Sequence, residues 1–299
     1  MAGLLTIFGG GGFVGRAVTA RALAGGWRVR VAVRTPSKVA DDVEAVACNI
    51  RSDEEVAHAV AGSDAVVNCV GILAQSGADT FEALQADGAT RVARMAAEAG
   101  VGHMVHVSSI GADAGSPSLY QRTKAAGEAG VLTHMPDAMI LRPSIIFGPD
   151  DSFFNRFAEL SKLSPFVPVV GAGTRFQPVY VGDVAEAVMA GLTEGRGGLY
   201  ELGGPEVERF DALMHRMLGH LGRKRLVLPL PAPVGMLMGL GFETLSAVSG
   251  GRIEPQITRD QVRNLGADNV VSGAFPGLAE LGVEPTAMGE ILPGYLGKP

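Results

Sequence analysis

The chain has 299 residues, 47% of them apolar and 19% charged, with a formal net charge of -6 and a pI near 5.6. That is enough apolar material for one large domain or two unequal ones, and an acidic chain without a block of Lys and Arg excludes a nucleic-acid role. Cys48 and Cys69 stand in apolar stretches with no CxxC spacing, and no His/Cys/carboxylate cluster has metal-ligand spacing, so reduced core thiols, a cytoplasmic protein and no metal are expected.

The first element is "LLTIF", residues 4–8, a run buried on both faces if it is a strand; it lacks a basic flank and is too short for a signal peptide. "FVGRAVTARALAGG" follows with helical spacing and a glycine stop, then "WRVRVAVR" as a second strand. Next come a short strand "EAVAC", a helix over 53–61, a strand "DAVVNCV", a long helix over 80–99, a strand "HMVHVSS", a helix through "LYQRTKAAGEAGVL" and a strand "AMILRPSII". This alternation predicts an α/β fold, a doubly wound parallel sheet of Rossmann type over 1–150. Beyond Gly148 the rhythm loosens: "SFFNRFAELSKL" reads as helix, "RFQPVYV" and "GLYELGG" as short strands. Residues 151–299 are expected to form a smaller lobe with segments returning to the sheet.

Gly9 to Gly12 fall at the first strand-to-helix turn. In a doubly wound fold that turn faces the ligand edge, and the helix start offers free N–H groups and a positive dipole end. Gly9, Gly12 and Gly15 fit GxxGxxG: a tight turn, close approach of a pyrophosphate, and close helix packing. Gly10 and Gly11 are expected to give the loop freedom. A dinucleotide follows as ligand, and the absence of GK[ST] excludes a Walker A loop. At the end of the second strand stands Arg34 rather than an acid, with Thr35, Ser37 and Lys38 beyond it. An arginine there accommodates the 2′-phosphate, so NADP(H) is expected over NAD(H).

Tyr120 and Lys124 lie four apart on one face of a predicted helix, after Ser108 and Ser109 at a strand end. The ammonium is expected to hold the nicotinamide ribose and lower the phenol pKa, Tyr120 to exchange a proton with a carbonyl or alcohol, and Ser109 to bond the reacting oxygen.

"GGGGFVG", "SS" before "YQRTK", "LRPSIIFG" and "PVYVGDVAEAV" resemble the extended or atypical short-chain dehydrogenases/reductases. "YELGGPE", "ITRDQVRNLGADNVV" and "ILPGYL" narrow the resemblance to the group of the nucleotide-binding accessory subunit of respiratory complex I. The resemblance implies NADP(H) at the glycine turn, with contacts from Gly9, Gly12, Phe13, Val14, Gly15, Arg34, Asn49, Ile50, Cys69, Val70, Gly71, Ser108, Tyr120, Lys124, Pro143 and Ile145. It also implies a respiratory membrane complex or membrane surface as partner, hence a cytoplasmic protein peripheral at the inner membrane. Two readings stand: a nucleotide-binding module serving an assembly, or an oxidoreductase or epimerase acting with Ser109, Tyr120 and Lys124 on an apolar or quinone-like carbonyl.

Departures from the pattern are Phe8 for Thr, Asn49 for an acid near the adenine, and "NCVG" for "NAAG". Ile110, Gly111 and Ala112 lack the acid pair of sugar dehydratases, which excludes that activity. Phe153, Phe154, Phe157 and Phe166 read as helix core or as an apolar substrate wall. His103 and His106 read as packed strand residues, and Arg142 and Asp183 as a pair or as cleft residues. The uncharged stretch 226–242, "LVLPLPAPVGMLMGLGF", has too many prolines to span a bilayer. It is expected either to bury Met236, Leu237, Met238 and Leu240 or to dock on a membrane or membrane protein.

Overall fold

A computed structural model describes residues 3–36, 43–250, 252–253 and 255–297. Ser37 and Lys38 lie outside the described residues. In chain order the elements begin with β1 (Leu4–Phe8), α1 (Phe13–Ala24), β2 (Arg28–Val33), β3 (Glu44–Ala47), α2 (Asp53–Val60) and β4 (Ala65–Asn68). A π-helical turn over Glu82–Ala86 leads into α3 (Asp87–Glu98), followed by β5 (His103–Val107), α4 (Leu119–His134), β6 (Met139–Pro143) and β7 (Ile146–Phe147). Then come α5 (Phe154–Leu163), β8 (Phe166–Val170), β9 (Arg175–Phe176), β10 (Val179–Tyr180), α6 (Val181–Glu194) and β11 (Gly198–Leu202). The rest comprises β12 (Glu208–Arg209), α7 (Phe210–His220), β13 (Leu226–Leu230), α8 (Ala232–Val248), α9 (Arg259–Asn264) and α10 (Met288–Leu296).

The chain divides into two compact units: Met1–Pro143 with Val181–Leu202 and Gly273–Glu284, and Ser144–Tyr180 with Gly203–Ser272 and Pro285–Pro299. The first holds a seven-stranded sheet of order β11-β6-β5-β4-β1-β2-β3, with every pairing parallel. β1 lies in its middle and is buried at all five positions, as its unbroken apolar run requires. The order reverses between β1 and β4, the switch point at which doubly wound sheets bind ligands. Side-chain caps set two helix starts in this unit: Ser52 accepts from Glu55 N at 3.2 Å and Ser118 from Gln121 N at 3.3 Å. Ser118 thereby fixes the frame of α4, which carries Tyr120 and Lys124.

The second unit is built round an aromatic cluster. Phe153 stacks on Phe210 at 5.5 Å and meets Phe154, Phe157 and Phe176 at 5.0–6.2 Å. Three of the four phenylalanines in question are therefore core packing rather than a wall; Phe166, in β8, is 47% exposed.

In α8 the usual polarity is inverted. Its buried residues are Gly235, Gly239 and Ser246, and a Cβ at Gly235 would lie 2.8 Å from Val170, one at Gly239 2.7 Å from Arg259 N. Its branched side chains face outward, Leu237 70% and Val248 82% exposed, with Val234, Leu240 and Leu245 also exposed, while Met236, Met238 and Phe242 are half-buried. The expectation that Leu237 and Leu240 pack into the lobe is corrected, because a helix approaching its neighbours this closely seats only small residues. Among the described residues no helix is long and apolar enough to cross a membrane.

Candidate functional site

At the end of β1 Gly9 takes φ +76°, and a Cβ on it would come within 3.2 Å of Cys69 C and Val70 N at the exit of β4. Glycine is required there on both counts. A Cβ at Gly15, in the first turn of α1, would run into the Gly9 carbonyl oxygen, and one at Gly12, the N-cap, would be 3.3 Å from it. Phe13 and Val14 open α1. Gly10 differs from expectation: its missing side chain leaves room for Val31, whose Cγ1 would be 2.8 Å from a Cβ, so it serves packing on β2 rather than loop freedom. The cradle left by these glycines at a helix start suits a pyrophosphate.

Facing this turn is the β4 exit, Cys69, Val70 and Gly71. Asn68 shapes it: Oδ1 accepts from Val70 N at 3.0 Å, while Nδ2 lies 3.2 Å from Nδ1 of the fully buried His106. Burial first, then the charge of Lys124, holds His106 down at about 3, a neutral imidazole. The exposed His103 takes no part. Burial pushes the Cys69 thiol up to about 12, leaving it an inert wall residue.

The edge is continued by β5 and β6. Ser108 N donates to Leu141 O at 2.7 Å and Ile110 N to Pro143 O at 3.0 Å, which sets Ser108 and Ser109 at the strand ends. Opposite, α4 brings Lys124, 4% exposed, whose Nζ donates to Val107 O at 3.2 Å. A Cβ at Gly71 would sit 3.3 Å from that Nζ. Burial lowers Lys124 to about 8, with Glu128 opposing. Tyr120 packs edge-on against Phe81, centroids 5.6 Å apart at 82°. Its phenol is pushed up by burial, against the pull of the Ser109 hydroxyl beside it. The expected lowering of this phenol is therefore corrected: desolvation outweighs any ammonium field, and Lys124 spends a proton on the Val107 carbonyl.

Ser108 Oγ, Gln85 Oε1 and His106 Nε2 are buried without a partner, and Ser109 Oγ has no aligned one. Unpaired buried polar atoms are costly, and Ser108, Ser109 and Gln85 gather round Lys124 and Gly71 at the edge where a nicotinamide end would supply partners. The residues present fit a dinucleotide. Gln85 was not legible as a site residue. Its Nε2 reaches Thr123 Oγ1 at 3.3 Å and its Oε1 lies 3.5 Å from a Cβ at Gly71, because the π-turn over Glu82–Ala86 shifts the helix register locally.

Three expected contacts are placed as follows. Asn49 Oδ1 accepts from Arg51 N at 3.1 Å and Arg51 Nε at 3.2 Å. Ile50 is buried against Gly88. Ile145 lies in the second unit, its N donating to Asn269 Oδ1 at 3.0 Å. Arg142 pairs with Glu128 through two bonds of 2.8 and 2.6 Å and stands 5.7 Å from the Phe275 ring. Asp183 is buried in the first turn of α6. Among the described residues no group of three or more His, Cys, Asp or Glu is placed to hold a metal.

A glycine cradle at the switch point, with Ser108 and Ser109 at the neighbouring strand ends and Tyr120 and Lys124 on α4, is the arrangement of a dinucleotide-binding protein. Residues 9–145 match a family described as NAD(P)H-binding. The chain is 32% identical to "NADH dehydrogenase [ubiquinone] 1 alpha subcomplex subunit 9, mitochondrial" of Arabidopsis thaliana, over 89% of this chain and 70% of the relative. It is 30% identical to the ceramide reductase of Caulobacter vibrioides, over 83% and 80%. The chain spans 62–70% of the length of the plant, rat and mouse complex I relatives. The solved UDP-glucose 4-epimerase of Thermus thermophilus, in complex with NAD, superposes with a TM-score of 0.72 over 98% of this chain and 97% of that one, at 19% identity, a likeness of fold. The chain thus belongs to the family of its complex I alpha subcomplex subunit 9 and ceramide reductase relatives.

Proposed function

We propose that the protein binds NADP(H) and reduces an apolar or quinone-like carbonyl. What supports this reading is the Tyr120 phenol, with the Ser109 hydroxyl beside it and Lys124 one turn further along α4. A bound nicotinamide dinucleotide supplies the hydride. Ser109 Oγ, beside the Tyr120 phenol, would hold the substrate oxygen together with it. Tyr120, neutral, gives that oxygen its proton, and Lys124, charged below about pH 8, holds the ribose. The ceramide reductase relative supports an apolar substrate, and Arg34 supports the 2′-phosphate. Tyr120→Phe should lower turnover by about 10²- to 10⁴-fold, the worth of a general acid, while leaving NADPH binding intact. An active Tyr120→Phe variant removes the mechanism. Calorimetry should show NADPH binding about 10- to 100-fold tighter than NADH, with the preference lost in Arg34→Ala.

A second reading is favoured by the identity to the complex I subunit and by the outward apolar face of α8: an NADP(H)-binding subunit held at the inner membrane by a respiratory complex or by lipid. A large exposed apolar face marks an interaction surface. Under this reading wild-type protein is inactive on a broad carbonyl panel and co-purifies with a membrane complex from its own cells.

A further inference from the structure

Arg34 is already engaged. Its Nη1 donates to Asp79 Oδ2 at 2.5 Å, and Arg51 Nη1 lies 3.5 Å from Oδ1 of the same carboxylate. Arg51 also donates from Nη1 to Ala78 O at 2.7 Å. The loop that presents Asp79 is pinned by reciprocal backbone bonds with Ser76, 3.0 and 3.1 Å, and by Phe81 N donating to Gln75 Oε1 at 3.0 Å. Arg34 follows β2, the neighbour of β1, and Arg51 follows the edge strand β3, both past the carboxyl ends of their strands. One carboxylate therefore bridges two guanidinium groups where this fold receives the substituent on the adenosine ribose.

A carboxylate and a phosphate make the same fork with arginine, but the phosphate brings a third oxygen and nearly twice the charge. We propose that Asp79 is a resident stand-in for the 2′-phosphate: it bridges Arg34 and Arg51 in the free protein, offsetting one of their two charges, yields its place when NADP(H) binds, and so sets the ratio of NADP(H) to NAD(H) affinity. The proposal rests on the NADP(H) reading of Arg34. Both pairs are part-exposed, with 65% of the Arg34 side chain in solvent, so the exchange is cheap and reversible. NAD(H), with no 2′-phosphate, leaves the bridge in place.

The test is calorimetric titration of NADPH and NADH into wild type, Asp79→Asn and Asp79→Glu. Asp79→Asn removes the competing charge without changing side-chain size, and is expected to tighten NADPH binding about three- to tenfold while moving NADH by less than about twofold, the worth of one or two exposed ion pairs. Asp79→Glu, which keeps the charge, should stay near wild type. In wild type, hydrogen exchange over residues 73–79 should quicken with NADPH and not with NADH. An unchanged affinity ratio in Asp79→Asn overturns the proposal, as does a loss of NADH affinity alone, which would make Asp79 a ribose ligand. Arg34→Ala separates the two claims: if it abolishes the NADPH preference while Asp79→Asn changes nothing, the cofactor reading stands and the stand-in falls. If Arg34→Ala leaves the preference untouched, both fall.

Discussion

Lys124 carries an electrostatic cost that the fold retains. Its pKa is about 8 in the folded chain, by burial, against 10.5 for an open lysine. Between those values the unfolded chain binds the extra proton, so this group's contribution to stability is unfavourable below pH 8 and is relieved as pH rises through 8 to 10.5. The penalty near neutrality is about 3 kcal/mol. Lys124→Met should therefore stabilise the protein by about 1–3 kcal/mol in urea titrations at pH 7 while destroying tight NADPH binding. Wild-type NADPH affinity should run the other way and fall as pH rises through about 8. His106, held at about 3 against 6.5, has a lowered folded pKa in the acid range. Its own contribution to stability should be level above pH 6.5 and fall steadily toward pH 3, and His106→Gln should flatten that acid slope. A steep slope persisting in the variant would assign acid sensitivity elsewhere.

The elements differ in what they owe to local sequence. The β-branched and apolar runs of β1, β2, β4, β5 and β6 mark themselves, and α4 is marked by its Ser118 cap and the Tyr120–Lys124 spacing, although its buried face carries Thr123, Lys124 and Glu128. No such orientation was legible in α8. Where a helix is apolar all round, as α8 is up to Phe242, periodicity carries no direction, and here Gly235 and Gly239 turn inward because the neighbours come so close. Gln85 was hidden by a π-turn and Asp79 by 45 residues of separation from Arg34; neither register slips nor long-range ion pairs leave a local trace. The inverted packing of α8 predicts an unusual mutational pattern. Gly239→Ala, forced against Arg259 N at 2.7 Å, should cost about 1–3 kcal/mol in denaturant titrations, whereas Leu237→Asp with Leu240→Asp should leave the unfolding midpoint nearly unchanged. The same double variant should lose any sedimentation with membranes seen for the wild type. If it unfolds instead, α8 is core and the docking reading is wrong.

On the scale of the whole molecule, the first unit is not contiguous in sequence: it takes Val181–Leu202 and Gly273–Glu284 from beyond Ser144–Tyr180. β11, residues 198–202, is the edge strand that pairs with β6 along Met139–Pro143. During synthesis this order has a consequence. When the ribosome has delivered residue 180, five of the nucleotide-binding strands already have their partners available, but β6 still shows a row of free N–H and C=O groups on its outer side, and α6 has not arrived. Such an edge invites pairing with other chains. At roughly 5–20 residues per second the nascent chain would stay in that state for about a second or more before β11 emerges, so holding chaperones should engage it there. Chains stopped at residue 180 should accumulate in inclusion bodies or on chaperones, and chains stopped at 202 should do so less. Equal solubility of the two would mean that the β6 edge is harmless and that the risk during translation lies in another segment.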